Sequence, residues 1–299
     1  MSPICRPARL DDLKPAMAIV VEAFNDVNRR HGTEDFVASM GTGFAAFSLN
    51  DDPAGLWVAE ANSEIAGFGF SWTAERLWFL ADLFVGPQWQ ASGVGRVLMR
   101  HTLDQAEASG AEVKALITFA FNRASIGLYM RQGLFPRIPL FKLACARSNC
   151  SLRSVATVLR MKCIGPDDLA ALEIIDRSAL GFARGKHHRY LAADASNTGL
   201  IFFDEREKPA AYAYVSASGH VGPVAASSHA HMAEATHRAL AIAADRKAEN
   251  VSIFLPGVAD AELTLALEAG LRVQRNMVLM SSRPFGDWTR YAPSDPGFM

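Results

Sequence analysis

The chain has 299 residues, half of them hydrophobic by a broad count and a fifth charged, with a formal net charge of −1. That is enough apolar material for one large domain or two ordinary ones, and it excludes a general attraction to nucleic acid or an acidic membrane. The first residues lack the charged start and apolar run of a secretory signal, and no apolar segment reaches bilayer length, so the expectation is a cytoplasmic protein in which any anionic ligand is held locally.

A short strand is expected over residues 5–8, and Asp11-Asp12 then stand where a helix would begin, favouring its dipole. Leu13, Met17, Val20, Val21 and Phe24 carry an apolar face to about Asn28. Arg29-Arg30-His31-Gly32 make a polar exit, and a second helical piece is expected over residues 35–47. Residues 55–72 form a hairpin pattern with Asn62-Ser63 at its turn. The next run, residues 77–85, is apolar apart from Asp82 and has strand length; Gly86-Pro87 ends it. A helix follows, with Val94, Leu98, Met99, Leu103 and Ala106 at helical spacing.

The turn before that helix, Gln90-Ala91-Ser92-Gly93-Val94-Gly95, holds two glycines where the helix begins. Glycine there lets backbone N–H groups approach a ligand, and a helix start presents N–H groups with no internal partner at its positive end. That is a seat for an anion such as a pyrophosphate. The lysine followed by Ser or Thr of a phosphate-loop nucleotidase is missing, and the glycine spacing is not that of a dinucleotide fold. Further on, residues 113–121 read as a strand. Asn122 can cap a helix whose inner face includes Ile126 and Tyr129 or Met130, Gly133 can end that helix, and residues 140–144 would be the last strand of a first domain. This order argues for an α/β (α+β) fold, a mixed sheet with helices on its faces.

Past residues 146–154 the pattern starts again. Leu10-Asp11-Asp12-Leu13 is echoed by Pro166-Asp167-Asp168-Leu169, residues 66–70 by residues 210–214, and Gln132-Gly133-Leu134 by Ala269-Gly270-Leu271. The expected organisation is two tandem domains, residues 1–146 and 154–282, with a tail of residues 283–299 packed on the body; the rival is a single larger sheet. The second copy has no glycine where Gly93 and Gly95 stand, only Ser227-Ser228-His229, and its last helix, residues 260–268, has no tyrosine. Cys5, Cys145, Cys150 and Cys163 show no Cys-x-x-Cys spacing, and His229-Ala-His231 lacks further ligands, so no metal is expected. Arg177, Arg184, Lys186, His187, His188 and Arg189 form a basic cluster, read as a solvated face or, if turned to the first domain's cleft, as a seat for an acidic acceptor.

Gln90, Gly93 and Gly95, behind a strand ending Leu-Phe-Val, match (Arg/Gln)-x-x-Gly-x-(Gly/Ala), and Asn122, Ser125, Tyr129 and Gly133 match Asn-x-x-Ala/Ser-x-x-x-Tyr-x-x-x-Gly. In both, the chain resembles the GCN5-related N-acetyltransferase (GNAT) superfamily, over about residues 3–144 and more faintly over 155–281. The resemblance implies two GNAT-like domains, the second degenerate, and acetyl-CoA as acyl donor. The backbone of Leu83, Phe84 and Val85 would bind the pantetheine arm, and the amides of Gln90, Ala91, Ser92, Gly93, Val94, Gly95 and Arg96 would cradle the pyrophosphate, with one charge fewer than an arginine at position 90 would give. Tyr129 would be the general acid toward the leaving thiolate, or a packed core aromatic. Asn122 would anchor the arm or cap its helix, with Ser125 in the first turn. Asp82 would be the general base, would hold a basic acceptor, or would be paired in structure; a water chain could replace a direct base. The implied function is direct transfer of an acetyl group to a primary amine of a small molecule in a ternary complex, by a monomer or homodimer; the alternative is a non-catalytic acyl-CoA-binding or sensory module.

Overall fold

The computed structural model describes residues 3–33, 37–155 and 157–299. By its internal packing the chain divides into two compact units, Met1–Ile117 with Phe121–Leu134, and Thr118–Ala120 with Phe135–Met299.

In the first unit, β1 (Ile4–Pro7) is followed by α1 (Leu13–Arg30), α2 (Gly43–Asp51), β2 (Leu56–Ala61), β3 (Glu64–Ala74), β4 (Leu77–Val85), α3 (Val94–Ala108), β5 (Val113–Phe119) and α4 (Arg123–Met130). Strands β1 to β4 are antiparallel neighbours in chain order, and β5 lies parallel to β4, reached through α3. The sheet is mixed, with helices on its faces, as the order of elements requires. The second helical piece starts later than the expected residue 35: residues 37–42 are not helical, and α2 begins at Gly43. Asp35 and Phe36 lie outside the described residues.

Alternation along β3 and β4 sorts the site's side chains. A Cβ on Gly69 would meet Thr102 Cγ2 at 3.2 Å, and one on Gly67 would meet Leu98 Cδ1 at 3.0 Å, so these glycines let α3 settle onto the sheet. Leu83 and Val85, opposite Gly69 and Gly67, share that face and pack with Val94 and Leu98 of α3. Asp82 and Phe84 stand opposite Phe70 and Phe68 and therefore point to the other face. There the Phe70 ring meets Phe44 of α2, with centroids 5.7 Å apart.

The second unit contains β6 (Phe135–Ala146), β7 (Arg160–Cys163), α5 (Leu169–Leu180), α6 (Gly185–Ala193), β8 (Asn197–Phe203), β9 (Pro209–Ser216), β10 (His220–Ala226), α7 (His229–Asp245), β11 (Asn250–Pro256), α8 (Asp260–Glu268), β12 (Arg272–Ser281) and β13 (Tyr291–Ala292). Its strand order is β12-β6-β11-β10-β9-β8-β7, with β13 on β10. Among the described pairings, β10 and β11 are parallel in this unit, as β4 and β5 are in the first, and the others given are antiparallel. Strand β6, expected to close a first domain, instead runs antiparallel between β11 and β12. Both of its edges are hydrogen-bonded there, and Leu140 and Leu143 become fully buried.

The internal echo reaches side-chain geometry. Arg6 of β1 forms a fork to Asp12 at 2.6 and 2.8 Å, and Asp12 accepts the Arg9 N–H at 2.7 Å. Lys162 of β7 lies 2.8 Å from Asp168, which accepts the Gly165 N–H at 2.7 Å. Each clasp fixes the turn that feeds α1 or α5 behind the first strand. Half of the basic cluster departs from a solvated face: Arg184, His187 and His188 are buried, and for Arg184 and His188 the carboxylate of Asp176 and the hydroxyls of Tyr212 and Tyr214 supply partners that water would otherwise provide. Among the described residues, no helix is long and apolar enough to cross a membrane, and no three His, Cys, Asp or Glu groups gather as metal ligands.

Candidate active site

The site of the first unit begins where β4 leaves β5. The two strands pair in parallel from Leu77↔Val113 to Leu80↔Leu116, and among the described residues the pairing stops there. At the same point β4 carries an extra residue: Leu80 faces Ser71 and Asp82 faces Phe70, so Ala81 has no register partner on β3. Such a bulge bends a strand and sharpens its twist. Residues 77–80 are buried, whereas Ala81, Asp82, Leu83, Phe84 and Val85 are all half-buried. Beyond Leu80, the edge of Leu83, Phe84 and Val85 that faces away from β3 has no strand partner among the described residues.

The turn beyond β4 is shaped by backbone conformation. Ala91 has φ +61°, and Gly93, at the start of α3, has φ +92°. The Gly93 carbonyl accepts from Arg96 N–H at 3.0 Å and Val97 N–H at 3.2 Å, so the helix begins its own ladder there and leaves the N–H groups of Val94 and Gly95 directed outward. A Cβ on Gly93 would have no neighbour within 4 Å, and one on Gly95 would come 3.4 Å from Val85 Cγ2. The space over the first turn is open, and the glycines keep it so. Ser92 and Arg96 are exposed beside it, and the Ser92 hydroxyl bonds the Trp89 carbonyl.

Gln90 is not alone. Its amide nitrogen donates to the Val85 carbonyl at 3.3 Å, tying the turn to the end of β4, and its oxygen accepts from Arg30 Nη2 at 2.8 Å. Arg30 also pairs with Asp26, and Arg29 lies 3.8 Å from the same carboxylate. Two guanidiniums sharing one carboxylate leave a net positive charge beside Gln90. Nothing in the spacing of the polar exit at residues 29–32 ties it to residue 90; only the missing charge at Gln90 pointed to a need for it.

Across the fork, Asn122 caps α4, its side chain accepting from Ser125 N–H at 3.2 Å. Tyr129 is buried on the inner side of α4, while Met130 is exposed, which settles the inner face in favour of the tyrosine. Burial raises the Tyr129 hydroxyl above the usual tyrosine range, and the charge of Asp82 raises it further. The two groups therefore share one local environment. At the exit of α1, His31 stacks at a tilt against Phe121, centroids 4.8 Å apart, and Asn25 holds the backbone of Val37 with two bonds of 2.8 and 2.9 Å. The structure thus brings Asp82, Leu83, Phe84, Val85, the turn from Gln90 to Arg96, Asn122, Ser125 and Tyr129 onto the elements around a single fork.

Comparisons with known proteins bear on the fold. A mycothiol acetyltransferase of Streptomyces coelicolor is 35% identical over 86 residues, a match that spans 27% of this chain and 27% of that protein. The crystal structure of a Pyrococcus horikoshii protein assigned as an acetyltransferase superposes with a TM-score of 0.76 at 17% identity, covering 100% of this chain and 96% of the other. A tandem GNAT protein from the clavulanic acid biosynthesis pathway superposes with a TM-score of 0.58 at 13% identity, covering 95% and 98%. Residues 19–134, which hold the whole β4 fork, match the acetyltransferase (GNAT) family model, and the chain carries the fold of the GNAT acetyltransferases.

Proposed function

We propose that the first unit transfers an acetyl group from acetyl-CoA to a primary amine of a small molecule, both bound at once, and that the second unit is a degenerate GNAT-like copy without a reaction of its own. What carries the reading is the fork: β4 leaves β5 at Leu80 beside a helix start held open by Gly93 and Gly95. The free edge of Leu83, Phe84 and Val85 suits an amide-bearing pantetheine arm. The outward N–H groups from Gln90 to Arg96 suit a diphosphate, with Arg30 beside Gln90 supplying charge.

In this reading the free amine nitrogen attacks the thioester carbonyl, the new C–N bond forms, and the C–S bond breaks. Backbone N–H groups of β4 stabilise the carbonyl oxygen as it gains charge. Tyr129 gives its proton to the leaving thiolate; its raised pKa keeps it protonated until then. Asp82 takes the amine's proton, directly or through water, and attracts the ammonium form to the site. Phe70 and Phe44 on the same face suit an acceptor with an apolar body next to its amine. Asn122 and Ser125 hold the start of α4 and with it the position of Tyr129.

Calorimetric titration with acetyl-CoA, followed by thiol release on a panel of small amines, tests the assignment. Saturable binding with amine-dependent thiol release is expected. No binding of any acyl thioester of coenzyme A would refute it, and binding without turnover on a broad panel would favour a sensory module.

A further inference from the structure

The second unit repeats the fork and treats it differently. Among the described residues, strands β10 and β11 pair in parallel at His220↔Ser252 and Val221↔Ile253 and no further. From Val224 onward the edge of β10 that would be free is taken by the tail: Val224 and Ala225 pair antiparallel with Ala292 and Tyr291 of β13, and Ala226 N–H donates to the Arg290 carbonyl at 3.0 Å. Strand β13 lies against β11 as well, so it sits between the prongs. In the first unit, the corresponding edge is the one read above as the ladder for a pantetheine arm.

The seat is built for the tail on both sides. Gly222 has φ +149°, and any Cβ there would come within 2.8 Å of Ser294 Cα and 2.9 Å of the Pro293 carbonyl oxygen. Only glycine permits that approach. His220 Nε2 lies 2.6 Å from the Ser294 carbonyl, which makes it the donor, and Nδ1 then accepts from Ser252 Oγ at 2.9 Å. Arg184, fully buried, donates to the Tyr291 hydroxyl at 2.7 Å and to the Met299 carbonyl, and is itself anchored by Asp176 at 3.1 Å. Asp295 accepts the N–H groups of Gly297 and Phe298 at 2.7 and 2.9 Å, and Phe298 packs edge-on against His187, centroids 4.8 Å apart. The helix start beyond is also closed: Ser228 caps α7 by accepting from His231 N–H at 3.2 Å, where the first unit has open glycines.

We propose that the β10/β11 fork is a second slot for an acyl-pantetheine arm and that the chain's own residues 290–299 occupy it. One equivalent of acyl-CoA then binds per chain, and freeing the tail admits a second pantetheine thioester. This rests on the reading of the β4 edge as an arm-binding ladder. The common chemistry is a strand edge that accepts any extended chain carrying amides, a peptide in one unit and pantetheine in the other. The lack of a glycine cradle before α7 makes S-acetylpantetheine, which has no diphosphate, the fitting probe for the second slot.

The test counts equivalents by calorimetry on the full chain while hydrogen exchange follows the amides of residues 290–298. Ala292→Pro removes a strand N–H from β13, and Gly222→Ala pushes on the tail from the opposite side without altering it. The wild type should bind one equivalent of acetyl-CoA with slowly exchanging tail amides. Either variant should speed that exchange at least tenfold and raise the S-acetylpantetheine count by one. Two equivalents in the wild type, an exposed tail with no added equivalent, or a tail still protected in both variants would each overturn the proposal. A wild type that binds no acetyl-CoA would remove the function proposed for the first unit, and the equivalent gained or not gained on freeing the tail would still decide this point.

Discussion

Replacing Tyr129 with phenylalanine removes one oxygen and leaves the ring in its place. The residue is buried on α4, so the fold keeps nearly all of the packing; a lost hydroxyl costs about 1 kcal/mol or less when the site tolerates it. Its chemical cost should be larger. A positioned proton donor typically contributes about 10²–10⁴ in rate, or about 3–5 kcal/mol of barrier. Burial and the Asp82 charge both raise the Tyr129 pKa, so the hydroxyl stays protonated well above pH 10 and remains an acid throughout the range in which the protein folds. Thiol release at saturating acetyl-CoA should therefore fall at least about 100-fold in Tyr129→Phe, with the coenzyme Kd within about twofold. The wild-type rate should show no falling limb from an ordinary tyrosine near pH 10. Asp82→Asn removes a negative neighbour and so shifts the Tyr129 pKa down, bringing that limb closer. A Tyr129→Phe enzyme that turns over at the parental rate refutes the acid role.

Arg30→Gln should weaken acetyl-CoA binding by about 3- to 10-fold, an effect that shrinks with added salt, and leave S-acetylpantetheine unaffected; equal loss for both ligands would mean that Arg30 only steadies the turn. His220 is half-buried and its pKa is lowered from 6.5 to about 4, because desolvation by its surroundings disfavours the imidazolium. Between those values the unfolded chain binds a proton that the folded chain does not, so stability falls as pH drops from 6.5 to 4, by up to about 3 kcal/mol, and this group adds no further loss below 4. Urea midpoints across that window should show a shallower acid loss in His220→Gln than in the wild type; identical slopes would contradict the assignment. Acetyl-CoA at about 100 times its Kd should slow exchange of the amides at residues 83–85 and 94–96 by up to about 100-fold while leaving residues 224–226 unchanged. Slowing at both forks would place ligand in both.

What could be read along the chain were features whose cause lies within one short stretch. The glycines at 93 and 95 stand out because a helix start that must approach a ligand needs them there, and the Asn122, Ser125, Tyr129 spacing is one face of a single helix. The two aspartate turns at residues 11–12 and 167–168 are legible as repeats because each clasps its own neighbouring strand. The edge partners of β6 are different in kind. Its alternation says that it is a strand but not which strands flank it, and β11 and β12 lie more than 100 residues further along. Arg184 misleads for the same reason: next to Lys186 and Arg189 it looks like part of a solvated basic face, whereas Asp176 and residues as distant as Tyr291 make burial affordable. Arg30 has no local signal at all, since the Gln90 side chain it bonds lies 60 residues further along the chain.

The two forks pose one physical problem with two outcomes. A parallel pair that diverges leaves main-chain donors and acceptors along the inner edge, and each such group that is shut away from water without a partner costs about 1–3 kcal/mol. In the second unit, β13 satisfies that edge, and Arg184, Asp176, Tyr212 and Tyr291 form a buried network around it. Removing one member would strand a buried charge, so the arrangement holds the tail in a single register and gives up access. In the first unit, residues 81–85 are half-buried and, among the described residues, no strand covers the inner edge of Leu83, Phe84 and Val85. In the proposed function, that edge is the place where a second chain of amides docks. The proposal that the first unit is the working copy rests on that difference in edge satisfaction, before any particular side chain is considered.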